Sequence, residues 1–105
     1  MKLEYRQGDV GMDRINTIPE EAKIQKKGRI VLAEGEVTGH CHEVATEDLD
    51  HVTLYELDGK FYLSVKEMPA IITHQEHAPI TLPVGNYEVV PQREYTPEEV
   101  RRVQD

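Results

Sequence analysis

The sequence predicts an all-β fold, a small antiparallel β-barrel or sandwich of short strands with one short C-terminal helix. Short apolar or alternating segments are separated by turn signals about every 8 to 12 residues. The dipeptide Asp58-Gly59 is typical of a two-residue hairpin turn, and the clear helix start signal lies near the C-terminus. A chain of 105 residues predicts a single domain spanning residues 1–105, because domains commonly contain about 100 to 150 residues.

The first third of the chain contains the weaker strand signals. Residues 3–10 alternate weakly between apolar and polar, and residues 12–15 follow as a short strand after a bend. Residues 22–25 and 29–33 are predicted to form a hairpin across a turn at residues 26–28, because the second arm is rich in β-branched residues. The nearly continuous apolar run in that second arm indicates burial on both faces.

The clearest hairpin spans residues 51–65 and turns at Asp58-Gly59. This turn pairs Tyr55 with Tyr62 and fixes the register of the two strands. The face predicted to pack in the core carries Val52, Leu54, Phe61, Leu63 and Val65. The opposite face is either solvated or covered by a partner, and it carries Thr53, Tyr55, Tyr62 and Ser64.

The last third of the chain contains three more strand segments and the helix signal. The strands are expected at residues 70–73, 80–82 and 87–90, with Pro83-Val84-Gly85 as the loop between the last two. In the helix, Thr96 is the expected N-cap, Pro97 the first helical residue and Glu99 the capping-box partner.

Charge and cysteine content narrow the class of protein. With 20 acidic and 12 basic side chains the net charge is -8, which opposes binding to the phosphate backbone of nucleic acids. The single cysteine excludes an internal disulfide and fits a reducing compartment. The N-terminus does not resemble a signal peptide, and no apolar run reaches the roughly 20 residues that span a bilayer. The sequence therefore predicts a cytoplasmic protein without a membrane partner.

Four of the five histidines and the only cysteine lie in two short segments, residues 40–43 and 74–77. Side chains two positions apart in a strand share a face, so His40 and His42 point the same way and Cys41 points the other way. This arrangement suits two imidazoles that bind one metal ion. His74 and His77 precede Pro79 in a loop or single turn from which both could point inward.

These residues predict a divalent metal site that holds Zn or Fe. Imidazole nitrogens are common ligands of both metals, and Glu43, Glu47 or Glu76 could serve as a carboxylate ligand or as an acceptor behind the ligands. The predicted metal ligands are His40, His42, His74 and His77. The alternative is that they are ordinary surface and loop histidines, because His-x-His spacing recurs by chance.

Two other residues are interpreted without a chemical role. Cys41 is expected to be a small buried hydrophobic residue. His51 is expected to be exposed, because it lies on the polar face of the predicted hairpin.

Part of this pattern resembles the cupin family. His40-x-His42 followed by Glu47 resembles the first cupin motif, and Pro83-Val84-Gly85 resembles the Pro-x-Gly of the second. The glycine before His40 is one residue closer than in cupins, and Glu88 and Gln92 stand where the second motif has its histidine and asparagine. A cupin-like metal site would therefore lack its usual third histidine unless His74, His77 or Glu88 took its place.

The chain as a whole resembles a small family of uncharacterised prokaryotic proteins, of bacterial or phage origin. The resemblance rests on the segments YRQGDV, GEVTGH, HAPI and QREYTP. It implies no reaction.

Three functions from different classes follow as hypotheses. The first is a small soluble accessory or binding protein with a metal ion at the histidines. The second is a cupin-like metalloenzyme in which the ion keeps an open coordination position. The third is a metal-free structural or interaction module that forms a homo-oligomer through the Tyr55 and Tyr62 face. The first is favoured, and no catalytic residue is assigned.

Overall fold

The computed structural model describes residues 2–25, 28–34, 40–91 and 100–104, and more than half of these residues lie in strands. The strands are β1 Lys2–Gln7, β2 Val10–Ile15, β3 Lys23–Ile24, β4 Val31–Glu34, β5 Cys41–Val44, β6 Val52–Leu57, β7 Lys60–Val65, β8 Ala70–Thr73, β9 Ile80–Leu82, β10 Gly85–Val90 and β11 Val100–Gln104. A short 3-10 helix, Thr46–His51, lies between β5 and β6. The predicted all-β fold is confirmed.

The described strands form two sheets. One has seven strands in the order β11-β1-β2-β10-β7-β6-β3, and the other has four in the order β4-β5-β8-β9. All pairings are antiparallel except that of β1 with β11. Within the described ranges the two sheets remain separate and do not close into a barrel. None of the described residues forms a helix long and apolar enough to cross a membrane.

Both sheets contribute side chains to one core. The seven-stranded sheet supplies Met12, Leu63 and Tyr87, and the four-stranded sheet supplies Ile72 and Leu82, all fully buried. The ring of Tyr87 also meets that of Tyr5 edge to face, with 5.7 Å between their centroids, a favoured geometry for an aromatic pair. Because the two sheets share this core, side chains that point into it from the strand ends of one sheet can contact side chains of the other.

The hairpin around Asp58-Gly59 has the register that the sequence predicts. Tyr55 pairs with Tyr62, and the turn residues have φ angles of 51° and 82°, as two-residue hairpin turns require. The opposite face is less open than expected, because Tyr62 and Ser64 are buried within the chain.

The predicted hairpin between residues 22–25 and 29–33 is wrong. The short strand Lys23–Ile24 pairs with β6, and Val31–Glu34 pairs with β5 in the other sheet. Ile30 becomes buried in the shared core, whereas Ile24 remains 65% exposed at the sheet edge. Because burying apolar surface stabilises the fold, the second arm gains more from the four-stranded sheet than from pairing with its neighbour in sequence.

The prediction of a C-terminal helix is also wrong for residues 100–104. Val100–Gln104 form β11, which pairs in parallel with β1. The predicted cap at residues 96–99 lies outside the described residues. An isolated helix of two to three turns is marginal in water, whereas the edge of β1 offers a row of backbone hydrogen-bonding groups. Pairing with that edge bonds the backbone groups of β11 that point towards β1.

Candidate functional site

The four predicted ligands lie together, as a group called here the histidine cluster, which comprises His40, His42, His74 and His77. The ring centroids of His42 and His74 are 4.3 Å apart, and those of His74 and His77 are 4.8 Å apart. The His42–His77 and His40–His74 distances are 5.7 and 5.8 Å.

Strand pairing brings the two histidine segments together. In the β5–β8 pair, Glu43 lies opposite Thr73 and Val44 opposite Ile72. Continuing this antiparallel register by one position places His42, the second residue of β5, beside His74, the residue that follows β8. The approach of segments about thirty residues apart in sequence therefore follows from the sheet register.

A buried glutamine fixes the orientation of His42. Gln7 is the last residue of β1, is fully buried, and donates from Nε2 to the carbonyls of Ile72 at 3.0 Å and Ala78 at 2.9 Å. Its Oε1 lies 2.8 Å from Nδ1 of His42. Since the amide nitrogen faces two carbonyls, Oε1 is the acceptor and His42 Nδ1–H is the donor. In the neutral imidazole the lone pair is then on Nε2, the arrangement typical of metal-binding histidines.

The sequence analysis missed Gln7. Its position in the strand could have identified it. Gln7 lies two residues after the core residue Tyr5 and therefore faces the core. A buried polar side chain requires hydrogen-bond partners, and Gln7 finds them on the other sheet. The amide therefore connects the first sheet to the histidine cluster.

His40 has a similar acceptor, but nearer to solvent. Its Nδ1 lies 3.2 Å from Oε1 of Glu76, and the side chains are 25% and 65% exposed, respectively. An ionised carboxylate only accepts hydrogen bonds, so Nδ1 carries the proton. The neutral His40 ring then also presents its lone pair at Nε2.

His74 has the opposite arrangement. Its Nδ1 accepts hydrogen bonds from the backbone N–H of Glu76 at 2.9 Å and of His77 at 3.4 Å. Because a backbone N–H can only donate, Nδ1 of His74 is unprotonated and the neutral ring carries its proton on Nε2. The His74 side chain therefore caps the turn formed by residues 74–77. Its proton is on Nε2, whereas those of His40 and His42 are on Nδ1.

His77 packs against the turn between β1 and β2. Gly8 in this turn has φ of +58°, and a Cβ at this position would lie 2.6 Å from Nε2 of His77. Glycine adopts this left-handed backbone without strain, and any side chain at position 8 would displace the His77 ring. Residues 7 and 8 thus contact two different histidines of the cluster.

As the rings stand, residues 2–25, 28–34, 40–91 and 100–104 contain no group of three His, Cys, Asp or Glu side chains that could hold a metal ion. The rings of His42 and His77 are nearly parallel, inclined by only 21°, with 5.7 Å between their centres. With a Zn–N distance of about 2.0 Å and tetrahedral angles, the centres of two ligating imidazoles lie about 5 Å apart. The centroid distances of 4.3 to 5.8 Å include that value. The spacing of these ring pairs therefore suits a metal ion, but their orientation does not. Metal binding requires the rings to turn until their nitrogens point at one position.

Cys41 lies apart from the histidines, in a polar group with Arg29 and Glu43. It is buried as predicted, but its Sγ donates to Oε2 of Glu43 at 3.1 Å and lies 3.4 Å from Nη2 of Arg29. Burial raises the pKa of the Cys41 thiol, and the hydrogen bond to Glu43 raises it further. Since nucleophiles and metal ligands are thiolates, this environment disfavours both roles for Cys41.

The carboxylates proposed near the site separate into different environments. Arg29 binds both oxygens of Glu43, at 3.0 and 2.8 Å, and these hydrogen bonds hold the pKa of the Glu43 carboxyl below its ordinary value. Glu47 is exposed on the 3-10 helix. Of these three predicted carboxylates, Glu76 is the one that contacts the histidine cluster.

The prediction that His51 is exposed is wrong. Its side chain is only 7% exposed, and Nε2 lies 3.3 Å from Oδ1 of Asp48 and 3.2 Å from the carbonyl of Pro69. The 3-10 helix turns His51 towards the segment before β8, and Asp48 also accepts from the backbone N–H of Ile71. His51 thus has a structural environment outside the histidine cluster.

The cupin comparison does not extend to Glu88. The sheet register places Glu88 opposite Asp13 and Tyr62, in phase with Glu4 and out of phase with the core residues Tyr87 and Val89. Glu88 therefore lies on the face that points away from the shared core. Gln92 lies outside the described residues.

Residues 6–92 match the model of a protein family described as Domain of unknown function (DUF8820). The matched range contains Gln7, Gly8 and the whole histidine cluster. It agrees with the resemblance to an uncharacterised family. No curated protein and no solved structure gave a match to the chain.

Proposed function

The chain belongs to the DUF8820 family, and we propose that it is a small binding protein that holds one divalent transition metal ion, Zn²⁺ or Fe²⁺, at the histidine cluster. The observation that carries the proposal is the spacing of the four imidazole rings. Four of the six ring pairs have centres 4.3 to 5.8 Å apart, close to the separation of about 5 Å between imidazoles on one tetrahedral ion.

The hydrogen bonds behind two of the rings support this proposal. His42 and His40 each donate from Nδ1, to Gln7 and to Glu76 respectively. Acceptors of this kind fix the tautomer and raise the basicity of a metal-binding imidazole. Imidazole-rich sites suit Zn²⁺ and Fe²⁺, and zinc binds a given site more tightly than iron does. We therefore expect Zn²⁺ to be the tighter ligand under equal availability.

The site would also strengthen a small core. The histidines belong to the four-stranded sheet and its β8–β9 loop, whereas Gln7 and Gly8 belong to the seven-stranded sheet. A metal ion that binds only the folded chain stabilises it, by about 2.7 kcal/mol when its free concentration is 100 times Kd. For a domain of this size such a gain raises Tm by about 10 °C or more.

The test uses the full chain purified without a histidine tag. We expect about one equivalent of Zn²⁺ per chain by elemental analysis and by calorimetric titration, and a higher Tm with Zn²⁺ than with a chelator. The double variant His40→Ala, His42→Ala should lose both effects. His51→Ala is the matched control, because His51 lies outside the histidine cluster, and it should keep both. A wild-type chain that neither binds Zn²⁺ nor gains thermal stability would overturn the proposal.

The homo-oligomer through the Tyr55 and Tyr62 face stays a prediction. Tyr62 is already buried within one chain, so such an interface would depend mainly on Tyr55. Light scattering on the same preparation, with and without Zn²⁺, measures the assembly state directly. A bacterial or phage origin and a cytoplasmic location likewise stay predictions.

A further inference from the structure

We infer that His40, His42 and His77 are the three protein ligands of the proposed ion, that His74 is a positioning residue, and that the fourth coordination position takes water or a small anion from solution. This inference rests on the proposed function and specifies its ligand set. It follows from the hydrogen bonds that the rings of His40, His42 and His74 make. His77 is included because its ring centre lies 5.7 Å from that of His42.

His74 cannot keep its present hydrogen bonds and also bind the ion. A metal bond to Nε2 would move the ring proton to Nδ1, where it would face the backbone N–H groups of Glu76 and His77. A metal bond to Nδ1 would displace both of those donors. Either mode breaks the two hydrogen bonds that close the turn, whereas His40 and His42 can bind through Nε2 with their Nδ1–H bonds intact.

The turn that His74 closes carries two other groups of the site. One of its donors is the backbone of His77, a proposed ligand, and the other is the backbone of Glu76, the acceptor for His40. By holding this backbone, His74 positions both side chains. An acceptor that bonds to the N–H two and three residues later is the pattern of an Asx turn, with an imidazole nitrogen in place of the usual oxygen.

Three neutral imidazoles leave an open position on a tetrahedral ion and do not reduce its double positive charge. Catalytic zinc sites with three protein ligands fill this position with water or substrate. The cluster is reachable from solvent, because His77 and Glu76 are exposed and His40 is partly exposed. A small anion that binds through oxygen or nitrogen therefore suits the positive charge of the site, and it can reach the ion from solvent.

Asparagine at position 74 separates the two roles of His74. The Oδ1 atom of Asn can accept the same backbone N–H groups, but it does not replace an imidazole ligand. In Zn²⁺ titrations of the full chain, H74N should keep the affinity within about tenfold of wild type, the low end of what loss of an outer partner costs. H42N, the matched control, should lose more than about 100-fold, beyond the range for outer partners. H74A, which loses the turn cap, should bind more weakly than H74N.

The open position is tested with Co²⁺ in place of Zn²⁺. Azide added to the Co²⁺-loaded wild-type chain should change its visible absorption bands, and H74N should respond in the same way. A loss of affinity in H74N equal to that in H42N would overturn the three-imidazole set, and a Co²⁺ spectrum unchanged by azide would overturn the open position. If the wild-type chain binds no metal at all, the proposed function itself fails, which is a different result from either of these.

Discussion

Replacing Gln7 with leucine tests the connection between the core and the histidine cluster. The two side chains have similar volume, so the change removes hydrogen bonds without opening a large cavity. It leaves three buried or partly buried polar groups without their present partner, namely the Nδ1–H of His42 and the carbonyls of Ile72 and Ala78.

The expected destabilisation can be worked from these three groups. A polar group left unsatisfied in the interior costs about 1 to 2 kcal/mol, so three groups give about 3 to 6 kcal/mol. The buried leucine side chain returns up to about 2 kcal/mol through the hydrophobic effect. With this return subtracted, we expect Gln7→Leu to lower the free energy of unfolding by about 1 to 4 kcal/mol, compared with the 5 to 15 kcal/mol of a typical domain.

Urea unfolding in the presence of a chelator measures this change without any contribution from metal. The slope m should stay constant while the midpoint falls. Gln25→Leu is the matched control, because it removes one side-chain hydrogen bond, to Glu56, far from the histidine cluster, and it should cost less than about 1 kcal/mol. If Gln7→Leu costs no more than Gln25→Leu, the amide network does not hold the two sheets together as described. Where the variant folds, its affinity for Zn²⁺ should fall about 10- to 100-fold.

Two further predictions concern titration. Burial raises the pKa of Tyr87 to about 12. The stability that the buried neutral phenol contributes is therefore complete below the ordinary pKa of 10.0 and is lost as pH rises from 10 towards 12. Over this range the Tm of wild type should fall more steeply than that of Tyr87→Phe, and equal slopes would contradict the prediction. Arg29 lowers the pKa of Glu43, so the stability that this carboxylate adds is present above its ordinary value of 4.5 and disappears as pH falls through the lowered value. Wild type should therefore exceed Glu43→Gln in Tm at pH 7, and the two should converge in acid; a gap that persists in acid would refute the assignment.

Features set by local chemistry could be predicted from the sequence. Asp58-Gly59 fixes a hairpin because the turn requires positive φ angles that these residues tolerate, and the pairing of Tyr55 with Tyr62 follows from it. His40 and His42 share a face because strand geometry has a period of two residues. Neither inference requires knowledge of any distant part of the chain.

Features set by distant partners could not be predicted in this way. Lys23–Ile24 pairs with β6, about thirty residues further on, although a turn signal directly follows it. The residues after Thr96 contain a good capping pattern, but Val100–Gln104 pair with β1 at the other end of the chain. In both cases a local preference worth about 1 kcal/mol competes with several backbone hydrogen bonds and the burial of apolar side chains.

The histidine cluster combines both kinds of information, and this has a consequence for how it would bind metal. Gln7 is fully buried and its hydrogen bonds join β1 to β8, so the ring of His42 is oriented by the same contacts that build the core. His77 is exposed and belongs to a loop that His74 closes. Reorientation on metal binding should therefore fall mainly on His77 and His40, while His42 keeps its position. The cost of ordering a site lowers its affinity. Variants that loosen the loop at His74 should therefore lower the affinity for Zn²⁺ with little change in the free energy of unfolding of the metal-free chain. Gln7→Leu should lower both the affinity and the free energy of unfolding.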